Sequence, residues 1–509
     1  PDISGTVRFG RTCMAQNYLK ADLPPDARDV SVPLAGDSIS GPRICYDGQM
    51  GNTHDILGAK GLAAGPFAEE RILLHLYENK GPAMFSEITD AVFAVVISDG
   101  ENLLAARDLL GIKTLFYGWK EGTLYLSSEL KSLLAVTNDV NEFPPGHYMD
   151  GTGKLNRFAE LPPKAAQFLE ADPQEVAAEI RNIIRRSLRS RIDFSHPTGS
   201  LLSGGIDSSV IACLATELYR EKFGPDARLK TFALGVGESR DLKNARIMAD
   251  HIGSEHCEVI VDLNDLLDKL PEVIYHLESF DPSLVRSSVA NFIISGRARA
   301  QGIEILLSGE GGDEVFCGYT YLKQFPPEEM HARQMECIGF LHNNASLRLD
   351  RMNHCNSLRV VAPLISGELL NYSISLPPGY KQREENGEKI EKWIFRKAFE
   401  DVIPNEIAWR PKQEFSQGSG SADVLPRYFE EQITDGELAE AQARYPMIRS
   451  KEELHYFKIF TSHFGLQVSG EELKKITSRI CCGTWSTGDR MRKGCTSPLT
   501  VPVSSVIGA

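Results

Sequence analysis

The feature that most constrains the fold is an apolar strand that ends in a glycine-rich turn and continues as a helix. Gly199–Leu202 is the strand, Ser203–Ser209 reads SGGIDSS, and a helix is predicted over Ile206–Tyr219. Strand-like and helix-like stretches then alternate, with strands at Lys230–Leu234, Cys257–Val261 and Ile303–Leu307 and helices at Asp241–Ile252, Leu263–His276 and Arg286–Ala300. This alternation predicts a parallel sheet covered by helices, with ligands bound beyond the carboxyl ends of the strands.

The SGGIDSS turn has the composition of a phosphate-binding loop. Gly204 and Gly205 let successive backbone N–H groups point into one concavity at the start of a helix, where anions bind, and the Ser203 and Ser208 hydroxyls add donors. Asp207 would repel a phosphate, so its presence indicates a Mg²⁺ ion between the two. The spacing of a Walker loop is absent. The alternative is an ordinary glycine-rich turn with a serine N-cap.

A second polar loop, Ser308–Glu314, follows the predicted strand Ile303–Leu307. Asp313 is placed to share a metal ion with Asp207, and Glu310 is placed to act as an acid or base or to hold a substrate ammonium. Read alone, the segment also fits a turn with solvated acids.

The third segment, Trp409–Ser416, places Lys412 beside an aromatic residue and a proline turn. A lysine that reaches a cleft stabilises the negative charge that develops in phosphoryl or acyl transfer. A solvated surface lysine is the alternative.

Three regions are predicted along the chain: residues 1–160, 161–476 and 477–509. The first is rich in strand patterns, with a buried strand at Ala91–Ser98. Leu161–Ala166 reads as a linker, after which Asp172 is a plausible N-cap for a long helix. The last region is a basic tail in which Cys481, Cys482 and Cys495 fall short of the four ligands of a structural zinc site.

Composition limits the partners of the chain. The 55 Lys and Arg residues against 69 Asp and Glu give a net charge of −14, which argues against a nucleic-acid or anionic-membrane partner. The apolar runs are too short to cross a bilayer, and most of the 10 cysteines lie in apolar or helical stretches, as in a cytoplasmic protein.

Together, these segments resemble the asparagine synthetase family. The resemblance rests on SGGIDSS, LLSGEGGDEVFCGY, WRPKQEFSQGSG, RDLLGIKTLFYG, LYLSSELKSLL and FPPGHY, and it covers about residues 1 to 470. It implies a two-domain α/β chain. The N-terminal domain would be a class II glutamine amidotransferase with an Ntn-type αββα sandwich. The C-terminal domain would be a PP-loop synthetase with a parallel sheet, similar to the adenine nucleotide α-hydrolases.

The resemblance also implies cofactors, substrates and residue roles. ATP and Mg²⁺ would be bound, with Asp207 and Asp313 as metal ligands. Lys412 would stabilise the pentavalent phosphorus during adenylation of a carboxylate, and Glu310 would deprotonate an attacking amine or ammonia. The products would be an amide, AMP and pyrophosphate, and homodimer formation is left open. The implied nucleotide contacts are Leu202, Ser203, Gly204, Gly205, Asp207, Ser208, Leu234, Ser308 and Gly309.

The N-terminal region departs from the family pattern at the glutaminase positions. Pro1 stands where the family has its nucleophilic cysteine, and Asp47 replaces an oxyanion-hole asparagine. Glu69 stands at the aspartate that binds the substrate ammonium. No clear equivalent is found for the arginine that binds the glutamine carboxylate. We therefore expect a degenerate domain that does not hydrolyse glutamine.

The sequence leaves more than one amide-forming reaction open. An intramolecular amide former, such as a β-lactam synthetase or a peptide cyclase, is one, although the retained Glu310 favours an external amine. Ser283 and Arg286 lie where the family holds its aspartate substrate, but Ser283 and Leu284 replace a tandem threonine, and Ser366 replaces a family aspartate. A non-catalytic nucleotide-binding relative is the alternative of another class, and the intact Lys412 speaks against it.

Overall fold

A computed structural model describes residues 3–19, 21, 34–35, 41–65, 67–162, 167–237, 239–412 and 421–465. Several sequence predictions fall on other residues. Pro1 and the 477–509 tail, with its three cysteines, lie outside the described residues. So do residues 163–166 of the predicted linker and residues 413–416 of the lysine segment.

The described residues of the N-terminal region form antiparallel strands and three helices. A six-stranded sheet has the order β11-β10-β6-β5-β4-β3, a three-stranded sheet has the order β8-β7-β9, and β1 pairs with β2 in a hairpin. The strands are β1 Ile3–Phe9, β2 Thr12–Tyr18, β3 Leu34–Ala35, β4 Arg43–Met50, β5 Ala91–Ser98, β6 Leu103–Arg107, β7 Phe116–Lys120, β8 Thr123–Ser127, β9 Val140–Glu142, β10 His147–Asp150 and β11 Leu155–Arg157; the helices are α1 Thr53–Lys60, α2 Ala68–Lys80 and α3 Leu130–Leu134, and Gly81–Ser86 forms a 3₁₀ turn.

These elements stack as four layers. Helices α1 and α2 pack on one face of the six-stranded sheet, where Ile72 and Val95 are fully buried. The opposite face carries Ala105 and Met149, which meet Leu124 and Leu126 of the smaller sheet. Helix α3 covers the far side of the smaller sheet. The order helix, sheet, sheet, helix agrees with the αββα sandwich expected from the sequence.

The C-terminal region contains a five-stranded parallel sheet with the order β14-β13-β12-β15-β16. Its strands are β12 Thr198–Leu201, β13 Lys230–Val236, β14 Glu255–Val261, β15 Ile305–Leu307 and β16 Arg359–Val361, and β17 Gln382–Glu385 and β18 Glu388–Glu391 form a hairpin. The helices are α4 Pro173–Arg191, α5 Ile206–Phe223, α6 Arg240–Ile252, α7 Leu263–Leu277, α8 Pro282–Ala300, α9 Gly312–Val315, α10 Met330–Phe340, α11 Ala345–His354, α12 Gly367–Ser375, α13 Pro378–Lys381, α14 Trp393–Phe399, α15 Asn405–Ala408, α16 Ser421–Gln432, α17 Asp435–Arg444 and α18 Lys451–Phe464; 3₁₀ turns lie at Thr320–Gln324, Pro327–Glu329 and Leu341–Asn343.

Both faces of the parallel sheet are covered, as such sheets require. Helices α4, α5, α6 and α14 contribute to the apolar core on one face, and α7, α8 and α18 contribute to the core on the other. The α/β fold class predicted from the sequence is therefore confirmed. Helix α4 begins as the capping pattern predicts, because the Asp172 side chain accepts a hydrogen bond from the Gln174 N–H at 2.8 Å.

Among the described residues, none of the helices combines the length and the apolar character that a bilayer crossing demands.

Candidate active site

The first loop joins β12 to α5 and is shaped by its own hydrogen bonds. The Ser208 hydroxyl accepts from the Ser203 N–H and donates to the Gly205 carbonyl, both at 3.1 Å. Gly204 has φ 68° and lies against α6, so a Cβ there would stand 2.4 Å from the Cβ of Asn244. Only glycine fits this close approach and this backbone conformation. The turn thereby aims the N-terminus of α5, with its free N–H groups, at a cleft.

The second loop follows β15, the strand that pairs with β12. Its glycines let it pass directly over Asp207. A Cβ on Gly309 would lie 2.5 Å from the backbone of Asp207, and a Cβ on Gly312 would lie 2.3 Å from Asp207 Oδ1. The two loops that the sequence singled out therefore meet in space, as the carboxyl ends of adjacent parallel strands do.

Two lysines form ion pairs with the aspartates of these loops. Lys392 Nζ lies 2.7 and 2.5 Å from the two carboxylate oxygens of Asp207 and 2.7 Å from Asp313 Oδ1. Lys412 Nζ lies 2.6 Å from Asp313 Oδ2. We refer to Asp207, Asp313, Lys392 and Lys412 as the acid–lysine cluster, which contains two negative and two positive side chains.

Burial and charge act against each other in this cluster. Burial by itself would raise the pKa of Asp313, but the charges of Lys392 and Lys412 hold that pKa well below its usual range. Burial would lower the pKa of Lys412, and the charges of Asp313 and Asp207 raise it instead. Asp313 and Lys412 are therefore both charged at neutral pH.

Glu310 of the second loop faces the same cleft and pairs with Arg348 of α11 at 2.7 Å. The cleft has a volume of about 620 Å³. Among the residues that line it are Leu202, Ser203, Gly205, Asp207, Ser208, Leu234, Ser283, Ser308, Gly309, Glu310, Asp313 and Lys412. The structure thus brings together most of the predicted site residues.

Two predicted residues lie elsewhere. The Gly204 backbone faces Asn244, and Gly204 contributes to the loop through its conformation. Arg286 pairs with Glu452 of α18 at 3.3 Å, so its guanidinium is engaged with the helical C-terminal part of the chain and not with the cleft.

Sequence reasoning missed Lys392, Arg348 and Glu391. Glu391 accepts a hydrogen bond from the Lys412 N–H at 3.1 Å and fixes the backbone of the lysine segment. None of the three follows a parallel strand, and no local pattern marks them. They could have been found only by pairing their charges with the predicted acids and with Lys412.

The donor set of the cleft fits a Mg²⁺ ion. Asp207 and Asp313 both line the cleft, and each carboxylate offers about four lone-pair sites, more than the lysine contacts use. Mg²⁺ prefers one or two carboxylates together with water and phosphate oxygens. These two aspartates are the residues that would hold the ion.

Asp47 and Glu69, the predicted glutaminase positions that the structure describes, lie beside a second, larger cavity of about 1880 Å³ at the boundary of the two regions. Asp47 of β4 pairs with Lys113 at 2.8 Å, and Lys113 also pairs with Asp350 of α11 at 2.7 Å. Glu69 accepts hydrogen bonds from the Tyr46 hydroxyl at 2.7 Å and from the Met50 N–H at 3.1 Å. Burial raises the pKa of Glu69, against the opposing charge of Arg359.

Comparison with known proteins gives matches in both regions. The family model described as asparagine synthase matches residues 179–336 and 326–454, and the glutamine amidotransferase domain model matches residues 33–135. Asparagine synthetase [glutamine-hydrolyzing] of Brassica oleracea is 31% identical over 504 residues, which cover 95% of this chain and 84% of that protein. Asparagine synthetase [glutamine-hydrolyzing] 2 of Arabidopsis thaliana is 32% identical over 483 residues, which cover 91% and 82%.

Proposed function

The chain belongs to the asparagine synthase family, and from this premise we propose that it is an ATP-dependent ligase that forms an amide and releases AMP and pyrophosphate. The observation that supports this most is the acid–lysine cluster, where two loops from adjacent strands and the Lys412 segment meet at one cleft. We also propose that residues 1–160, 161–476 and 477–509 are the functional divisions of the chain.

In the first half-reaction, a carboxylate oxygen of the substrate attacks the α-phosphorus of ATP and pyrophosphate leaves. The backbone N–H groups at the start of α5, with Ser203 and Ser208, would bind the phosphates. Lys412 would stabilise the negative charge that grows on the phosphoryl oxygens. When bound at Asp207 and Asp313, Mg²⁺ supplies charge neutralisation for the pyrophosphate.

In the second half-reaction, an amine nitrogen attacks the carbonyl carbon of the acyl-adenylate and AMP leaves. The attacking nitrogen must lose a proton, and we assign the role of base to Glu310, which lines the cleft. Arg348, 2.7 Å from Glu310, holds the carboxylate in place. A base for an external nucleophile supports ammonia or another amine as the nitrogen source, and it disfavours the alternative of intramolecular amide formation.

We propose that the N-terminal domain does not hydrolyse glutamine, although the relatives named above are described as glutamine-hydrolyzing. Asp47 presents a negative charge where the family pattern has an amide donor, and that charge is paired with Lys113. Glu69 is engaged by Tyr46 and Met50 inside its own domain. An oxyanion needs a hydrogen-bond donor, which the Asp47 carboxylate cannot supply.

The test is ATP–pyrophosphate exchange with the purified full-length chain across a panel of carboxylic acids. Amide formation is then measured with ammonium or glutamine as the nitrogen source. We expect exchange with at least one acid, and amide formation with ammonium but not with glutamine. Exchange with none of the acids would favour a non-catalytic relative. Exchange with a β-amino acid or a peptide alone would favour a cyclising enzyme, and turnover with glutamine would refute the inactive domain.

A further inference from the structure

Lys392 lies between the two aspartates of the cleft, although it belongs to neither polar loop. Three carboxylate oxygens lie within 2.7 Å of its ammonium, two from Asp207 and one from Asp313. An ammonium has three N–H donors. Two hydrogen bonds join it to the Asp207 carboxylate, and an ion pair joins it to Asp313 Oδ1. Its ammonium therefore lies among carboxylate oxygens of the protein, which sets Lys392 apart from a lysine that binds substrate directly.

The surrounding backbone positions the Lys392 side chain between the two aspartates. Lys392 follows β18 with φ 55°, a left-handed conformation that a residue with a side chain adopts at a cost. Its side chain is 1% exposed. A Cβ on Gly318 would stand 1.9 Å from Lys392 Cε, so a side chain at position 318 would displace the lysine. The preceding residue, Glu391, holds the Lys412 backbone at 3.1 Å, so one short segment places both lysines.

We propose that Lys392 is a positioning residue for the adenylation reaction, an inference that rests on the proposed function. Its ammonium fixes the spacing between Asp207 of the first loop and Asp313 of the second. Together with Lys412, it also brings the net charge of the acid–lysine cluster to zero. A neutral cluster attracts a free divalent cation weakly, whereas the negative phosphates of ATP restore the attraction. Binding of a divalent metal ion at the two aspartates therefore depends on bound nucleotide.

Lys381 provides a matched control for this role. It is also 1% exposed, but its ammonium donates to the Gln334 side chain at 2.6 Å and contacts no member of the acid–lysine cluster. Replacing either lysine by methionine removes a buried ammonium and keeps most of the side-chain volume. Only the Lys392 change alters the charge between the two aspartates.

The experiment compares Lys392→Met, Lys392→Gln and Lys381→Met with the unaltered full-length chain. Mn²⁺ binding is measured without nucleotide, from the electron paramagnetic resonance signal of free Mn²⁺, and circular dichroism verifies folding. We expect both Lys392 variants to bind Mn²⁺ about tenfold more tightly, because a positive charge beside the aspartates has been removed. Lys381→Met should bind Mn²⁺ as the unaltered chain does. In ATP–pyrophosphate exchange, kcat of the Lys392 variants should fall by about 100-fold while the KM for ATP changes by less than about threefold.

Three results would overturn the proposal. The first is unchanged Mn²⁺ affinity in a folded Lys392 variant. The second is an equal gain in affinity for Lys381→Met. The third is loss of folding in both Lys392 variants, which would make the lysine a purely structural residue. Mn²⁺ binding needs no turnover. An unaltered chain that adenylates no substrate would refute the proposed function, and the Mn²⁺ measurement would still test the role of Lys392.

Discussion

The two cavities described above use their lysines differently. At the smaller cleft, Lys412 has Asp313 as its one carboxylate partner among the described residues, and it lines the space that a ligand would enter. At the larger cavity, Lys113 pairs with Asp47 and Asp350 together and so ties β4 to α11. A lysine with donors to spare can bind a ligand, whereas a lysine with two carboxylate partners holds the structure together.

The same contrast extends to the acids. Glu278, at the end of α7, accepts hydrogen bonds from the Leu130 and Lys131 N–H groups at 2.9 and 2.8 Å, at the start of α3 in the other domain. Arg191 pairs with Asp90 across the same boundary at 2.6 Å. These charged residues beside the larger cavity therefore join the domains, which would give an amidotransferase-like domain a structural role under the proposal that it does not hydrolyse glutamine.

The largest expected effect comes from removing the lysine of the smaller cleft. Lys412→Ala should lower kcat of ATP–pyrophosphate exchange by about 10³-fold or more, because the charge that grows on the phosphoryl oxygens loses its cation. Circular dichroism should remain unchanged. Lys458→Ala, at a half-exposed position on α18, is the control and should keep full exchange. Exchange within threefold of the unaltered chain in Lys412→Ala would contradict the assignment.

The domain boundary should respond to pH through His342, which lies 3.7 Å from Glu142 of the N-terminal domain. Burial lowers the pKa of His342 from 6.5 to about 4, against the charge of Glu142. The unfolded chain therefore binds a proton that the folded chain does not. Stability present above pH 6.5 is lost as pH falls towards 4, by up to about 3 kcal/mol.

This expectation is checked by urea unfolding between pH 4.5 and 7.5. His342→Gln should flatten the pH dependence in this window, whereas His54→Gln, at an exposed position on α1, should not. An identical pH profile in His342→Gln and the unaltered chain would show that the boundary does not depend on this histidine.

Much of the fold follows from local patterns. The strand Ala91–Ser98 has the predicted bounds, because a buried apolar run between turn residues marks it. β16 was missed because Arg359–Val361 is too short for a periodic signal. The loops of the cleft were predicted from strand-end glycines and acids. Lys392 was not, since its contact with Asp207 joins residues 185 positions apart.

Local sequence patterns also could not predict the ion pairs that join the two domains. Lys113 and Asp350 are 237 positions apart, and nothing near either residue indicates the other. The family pattern identified Asp47 as a departure but could not show which cation it meets. The family pattern predicts Arg286 at the substrate, and the structure shows a pairing with Glu452 that the sequence did not indicate. Its role in substrate binding stays a prediction.

A smaller effect on the cleft is expected from Glu310→Gln, which should separate the two half-reactions. Amide formation from ammonium should fall by about 100-fold, because the attacking nitrogen loses its base. ATP–pyrophosphate exchange should stay within about threefold, since the carboxylate is not used in adenylation. Single-turnover assays of each half-reaction measure the split. An equal loss in both would show that Glu310 instead holds the cleft together through Arg348.

The smallest effect is expected at the larger cavity, from Asp47→Asn. The substitution restores the amide of the family pattern and removes one of the two carboxylates on Lys113, while Asp350 still pairs with that lysine at 2.7 Å. Because Asp47 is 38% exposed, the loss of stability should be only about 0.5–1 kcal/mol in urea unfolding. Asp55→Asn, at an exposed position on α1, is the control. Glutamine hydrolysis should not appear, because the sequence has no clear equivalent of the arginine that binds the glutamine carboxylate in the family pattern. Glutamate release by Asp47→Asn with unchanged stability would mean that Asp47 had silenced the domain and did not serve to join it to α11.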